Sequence, residues 1–127
     1  RLREAPALAI VGAQERLIVF DDMTINGKHF DHHRVDVRAR LGATEVWSVR
    51  NDDVRDHPFH LHGYSFQVLD RGGVPEPFRA WKDTVNVKPG QTVRFAVTFD
   101  KFPGLRMFHC HILQHEDMGM MGLLLVE

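Results

Sequence analysis

Short runs of alternating apolar and polar residues, each closed by a glycine or proline turn, constrain this chain more than any other feature. Val35, Val37, Ala39 and Leu41 alternate with Asp36, Arg38 and Arg40 until Gly42 breaks the run. Glu45-Val46-Trp47-Ser48-Val49-Arg50-Asn51 alternates again. A period of two places one set of side chains on each face of a strand, so these runs predict half-buried strands. Further strands are expected over Arg16 to Phe20, Tyr64 to Leu69, Asp83 to Val87, Thr92 to Phe99, Met107 to Ile112 and Met121 to Val126. Asn26-Gly27, Gly72-Gly73, Pro89-Gly90 and Pro103-Gly104 supply the turns. No stretch has a helical period with caps, and a single helical turn is the most that Leu113 to Asp117 allows. Many short strands at regular spacing imply an all-β sandwich or barrel. At 127 residues the chain is expected to be one domain, 1–127. The polar, proline-containing stretch 1–14 reads as an interdomain linker or leading segment.

Composition removes several function classes. Sixteen Lys and Arg stand against 17 Asp and Glu. That balance excludes a strongly basic nucleic-acid binder and a polybasic membrane anchor. No apolar run approaches the roughly 20 residues of a membrane-spanning helix. Cys110 is the only cysteine, so an intramolecular disulfide is excluded. The chain opens on Arg1 without a signal-like segment and stops after a strand-like run. The expectation is a mature or trimmed piece, the last part of a longer polypeptide, with processing alone as the alternative.

Six of the nine histidines fall in two short clusters. One is His57-Pro58-Phe59-His60-Leu61-His62-Gly63; the other is His109-Cys110-His111, followed by His115, Glu116 and Met120. Strand parity sorts them. His109 and His111 share one face and Cys110 takes the other. His60 and His62 share a face, and His57 points away from it. If the two strands are neighbours, Cys110 and His57 meet on the inner face, and His60, His62, His109 and His111 line the outer one. Cys110, His57 and His115 with a nearby methionine match a trigonal His₂Cys site with a weak axial thioether, the blue-copper electron-transfer arrangement. Met120 is the axial choice by spacing, ahead of Met118 and Met121. The four outer imidazoles form a second metal site, and the Cys110 backbone connects it to the first. Zinc could occupy two H-x-H pairs, but it does not account for a cysteine between two histidines. His29, His32 and His33 follow a turn and read as a solvated polar loop. Of Asp52, Asp53 and Asp56, Asp53 is the residue expected to hydrogen-bond a ligand ring and set its tautomer.

At these two clusters the chain resembles the last cupredoxin domain of the multicopper oxidases, the family of laccases, copper-efflux oxidases and bilirubin oxidases. His57 to Gly63 resembles the family's HPxHxHG motif, and His109 to Met121 its HCHxxxHxxxGM motif. Glu45-Val46-Trp47 and Trp81-Lys82-Asp83-Thr84-Val85 resemble its flanking strands. The resemblance covers roughly Ile25 to Val126. It implies a cupredoxin-like Greek-key β-sandwich or barrel and a copper-dependent oxidoreductase. His57, Cys110 and His115, with Met120 axial, would hold the type 1 copper. His60 would hold the type 2 ion, and His62, His109 and His111 the type 3 pair. Glu116 would serve as a proton-relay or substrate-side group. Electrons from a phenolic, other organic or metal-ion donor would pass through Cys110 to His109 and His111, and dioxygen would be reduced to water.

The family's other trinuclear-cluster histidines are absent, because they come from two further H-x-H motifs in another domain. The implied partner is therefore an N-terminal cupredoxin domain of the same or another chain, besides the small reducing substrate and dioxygen. An uncovered outer face also leaves an isolated domain open to self-association. A periplasmic or secreted location is expected. The alternatives are a stand-alone blue-copper electron carrier, which has no use for the outer histidines, and a non-catalytic module, which has no need of the full type 1 set.

Overall fold

The structure, a computed structural model, describes residues 4–110 and 120–127. Eleven strands and no helix occur among the described residues. One sheet has the order β2(Thr24–Ile25), β1(Gln14–Asp21), β4(Thr44–Asn51), β9(Thr92–Thr98), β6(Phe66–Arg71), β7(Val74–Pro75). The other runs β3(Val37–Ala39), β11(Met121–Val126), β10(Gly104–Cys110), β5(His57–Leu61), β8(Thr84–Val87). Two pairings are parallel, β1 with β4 and β3 with β11; the rest are antiparallel.

The inner faces of the two sheets meet in an aromatic core. Trp47 of β4, fully buried, reaches across to the second sheet. Its ring meets Phe108 edge-on with centroids 5.4 Å apart, and it also contacts Phe59 and Phe95. Phe59 sits among Phe66, Phe95 and Phe108. Each such ring pair contributes about 0.5–1.5 kcal/mol beyond its buried area. The alternation in β5 is followed residue by residue: His57, Phe59 and Leu61 are buried, while Pro58 and His60 are half-buried.

Boundaries differ from the sequence pattern in two places. The alternating run at Val35 to Leu41 forms only the three-residue β3. The Asp36 carboxylate accepts the Leu123 N–H at 2.9 Å, and this side-chain bond ends the ladder that alternation would continue. Gly104, expected in a turn, opens β10 with a φ of +132°, a backbone conformation that suits glycine. Within the leading stretch, Gln67 clamps the chain from β6. Its Oε1 accepts the Leu8 N–H at 3.0 Å and its Nε2 donates to the Pro6 carbonyl at 2.6 Å. The expected single turn at Leu113 to Asp117 lies outside the described residues.

Candidate metal centre

Register brings the two histidine clusters together. Strand β5 lies between β10 and β8, with His60 opposite His109 and Phe59 opposite Cys110. Residues opposite each other in an antiparallel pair point to the same face. Cys110 therefore joins Phe59 and His57 on the inner face, and His109 joins His60 on the outer one. The neighbouring residues His109 and Cys110 thus serve opposite sides of one sheet.

On the inner side His57 and Cys110 are fully buried, and His57 Nδ1 lies 3.3 Å from Cys110 Sγ. The other ring nitrogen, Nε2, meets Asp53 Oδ2 at 3.1 Å. The Val54 N–H donates to the Asp53 carboxylate and is the main cause of its low pKa, below the usual carboxylate range. Partial burial opposes this, and His57 and Arg55 add to it. An ionised carboxylate only accepts, so the proton belongs on Nε2 and Nδ1 turns its lone pair toward the sulfur. The Phe20 and His57 rings meet edge to face, with centroids 5.5 Å apart. Met120 is also fully buried, and its carbonyl accepts the Cys110 N–H at 3.1 Å.

On the outer side His60, His62 and His109 each offer a ring nitrogen, and these atoms lie within 4.8 Å of one another. His62 Nε2 and His109 Nε2 are 2.7 Å apart, so one donates its proton to the other. His109 Nδ1 donates to the carbonyl of Cys110 at 2.9 Å. His60 Nδ1 meets the Asp83 carbonyl at 2.9 Å and Thr84 Oγ1 at 3.0 Å. Thr84 is the cross-strand partner of His60 in β8, so ladder register places that hydroxyl. With Nδ1 engaged in both His60 and His109, Nε2 is the donor each offers to a metal. His62 lies just beyond β5, where its N–H bonds the Met107 carbonyl. Gly63 follows at a φ of +82°, and a Cβ there would meet Arg106 Nε at 2.7 Å. A cavity of about 330 Å³ opens beside the cluster, lined by His60, His62, Tyr64, Asp83 and Lys101 among others.

Both donor sets suit copper. His57 Nδ1 and Cys110 Sγ, 3.3 Å apart, are near enough to bind one ion together, and thiolate with imidazole is a copper donor pair. The imidazoles of the outer set are good copper ligands.

The structure brings together His57 with Cys110, and His60 and His62 with His109. His111, His115, Glu116 and Met118 lie outside the described residues. Of the three acidic residues before His57, only Asp53 reaches its ring. Asp52 pairs with Arg50, and Asp56 accepts from Asn86. His29, His32 and His33 are on an exposed or half-buried loop, with the His32 and His33 rings 4.0 Å apart. Asn51 and Thr84, which support the site, were missed. Thr84 becomes visible only once register is known. Asn51 carries no sequence signal beyond its place at the end of a strand.

The family model for multicopper oxidases matches residues 6–127. The chain is 46% identical over 110 residues to the multicopper oxidase mco of Staphylococcus haemolyticus, covering 80% of this chain and 24% of that protein. It is 37% identical over 119 residues to the laccase of Bacillus subtilis, covering 78% of this chain and 23% of the relative. A solved laccase-like multi-copper oxidase from Ochrobactrum sp. superposes with a TM-score of 0.89 at 33% identity, covering 100% of this chain and 34% of that one. The chain thus spans about a quarter of the length of the curated relatives it matches.

Proposed function

This chain belongs to the multicopper oxidase family, and on that premise we propose that it is the electron-accepting cupredoxin domain of a laccase-like oxidase. Bound copper supplies one-electron chemistry between a small reducing donor and dioxygen. The inner ion would be held by His57 and Cys110, joined by His115 and by Met120 as a weak thioether donor. The outer ions would be shared between this chain and an N-terminal cupredoxin domain, with His60 at the type 2 position and His62, His109 and His111 at the type 3 pair. Glu116, beside His115, would carry a proton or face the donor. A secreted or periplasmic setting fits this role.

The chain's own part is orientation and connection. Asp53 keeps the His57 proton on Nε2, so Nδ1 faces the sulfur. Burial of Cys110 excludes water from the thiolate. From Sγ a path runs through Cys110 to its carbonyl oxygen. One 2.9 Å hydrogen bond then joins that oxygen to the His109 ring. The same residue therefore ties the inner donor set to the outer one. This juxtaposition, two donor sets on opposite faces joined at His109-Cys110, is the observation that carries the proposal. A stand-alone electron carrier has no role for the outer trio.

The test is the visible spectrum of the protein loaded with Cu(II), with oxygen uptake of the assembled oxidase. An intense thiolate-to-copper band is expected, and Cys110→Ser should abolish it. His60→Ala with His62→Ala should keep the band and remove oxygen uptake. A folded, copper-loaded protein without the band refutes the inner assignment. Oxygen uptake that survives the double change refutes the outer one.

A further inference from the structure

The residue that holds the copper ligand's supporting carboxylate is itself held by a buried amide. Asn51 ends β4 and is fully buried. Its Nδ2 donates to the carbonyls of Arg55 at 2.6 Å and Val87 at 2.9 Å, and its Oδ1 accepts the Asp53 N–H at 2.9 Å. Each of these partners bears on His57. Arg55 and Asp53 belong to the loop that leads into β5. Val87 is the cross-strand partner of His57 itself. The Asn51 main chain adds bonds to Gln91 and Gly90 at the next turn. One side chain thus fastens the end of β4, the 52–56 loop and β8 to one another.

The connection to the site runs through Asp53. Its main chain is fixed by Asn51, one carboxylate oxygen accepts from Val54, and the other meets His57 Nε2 at 3.1 Å. A carboxylate that hydrogen-bonds a ligating imidazole sets the tautomer and the ring orientation. It does so only if the carboxylate is itself held in place. We propose that Asn51 is a positioning residue of the copper centre, holding the Asp53 loop so that His57 keeps Nδ1 aimed at Cys110. The inference rests on the assignment of His57 and Cys110 as copper ligands. Without the Asn51 amide, the Arg55 and Val87 carbonyls and the Asp53 N–H each lose a hydrogen bond, and a buried unmet group is costly. The 52–56 loop must then shift to rehydrate them.

Cu(II)-loaded wild type, Asn51→Leu, Asn51→Ser and a stability control, Val68→Ala on β6, separate positioning from stability. The readouts are the thiolate-to-copper band, copper affinity by chelator competition, the reduction potential and the melting temperature. Asn51→Leu is expected to weaken copper binding by about 10- to 100-fold, as loss of a ligand-supporting bond does. It should also move the potential, since each tenfold change in preference between the two oxidation states is about 59 mV. Asn51→Ser retains an acceptor for the Asp53 N–H and should fall between. Val68→Ala should lower the melting temperature alone.

An Asn51→Leu protein that melts earlier but keeps the wild-type band, affinity and potential overturns the positioning role. If that variant does not fold, hydrogen exchange on the wild type decides: the Asp53 amide should be protected, and exchange at the open-chain rate overturns the proposal. A wild type without the band overturns the copper assignment and this inference together. A wild-type band with unmoved Asn51 variants overturns this inference alone.

Discussion

Gly122→Ala should be among the most damaging single-methyl changes in this domain. Gly122 lies opposite Phe108 across β10 and β11. A Cβ built there falls 2.7 Å from Phe108 Cε1 and 2.9 Å from Cε2, and closer still to Cζ. Ordinary contact begins near 3.4 Å, so the ring must retreat by several tenths of an ångström at least. It has nowhere to go, because Trp47 stands edge-on to it at 5.4 Å and Phe59 lies at 6.1 Å, all three fully buried. Overpacking a close-packed core costs about 1–3 kcal/mol, and a ring trapped on both sides belongs at the upper end. At an unfolding entropy of about 2.1 cal/mol/K per residue, a loss of about 3 kcal/mol lowers the melting temperature of a chain this long by about 11 °C. Thermal and urea unfolding of Gly122→Ala, Phe108→Leu and the double variant form the assay. The smaller side chain should relieve the clash, giving a coupling of about 1–2 kcal/mol in the double-mutant cycle. The copper band offers a second readout, since the displaced ring rides on the strand that carries His109 and Cys110. A single variant that melts within about 2 °C of wild type, or effects that simply add, would show that the core around Phe108 yields to the added methyl.

Other outcomes follow from the electrostatics. The Asp53 carboxyl is held below its usual range, so its contribution to stability is present above about pH 4 and is lost as pH falls through the depressed value. Asp53→Asn should therefore narrow the stability gap to wild type as urea midpoints are measured from pH 6 down to pH 2; an unchanged gap at the acid end would contradict the shift. Glu45 is buried, and its oxygens meet Arg16 Nε at 2.7 Å and Nη2 at 3.1 Å. Arg16→Ala leaves that carboxylate with the Trp47 indole at 3.0 Å as its remaining bonded partner among the described residues. The expected cost is about 3 kcal/mol by chemical denaturation, and a loss below about 1 kcal/mol would mean that water or another cation takes over.

What the sequence disclosed about this molecule follows from where its signals are local. Alternation in His57 to Leu61 and parity at His109-Cys110 need only the geometry of a single strand. They separated His57 and Cys110 from His60 and His109 before any pairing was known. The family motifs gave the same ligand groups by another route. Asp53 was only partly legible: three acidic residues precede His57, and the folded loop decides which of them reaches its ring. The remainder depends on contacts between distant segments. The parallel pairing of β1 with β4 leaves no mark in either strand. The early end of β3 is met by a side-chain bond between Asp36 and Leu123, far apart in the chain. The hydrogen bond from His60 to Thr84 exists only because β5 and β8 share one register. Asn51 looks like any polar strand end until its three bonded partners converge on the 52–56 loop and β8.

Placing His109 and Cys110 side by side on one strand has a consequence for how the domain tolerates change. Substitutions can alter either face of the sheet without rewriting the other, because each residue answers to its own side. A deletion or insertion of one residue anywhere between Gly104 and Cys110 has no such freedom. It rotates the end of β10 by half a period, sending the thiol to the outer face and an imidazole into the aromatic core. Both chemistries are then lost at once, although every ligand is still present in the chain. Length in this segment is therefore expected to be under far tighter control than identity.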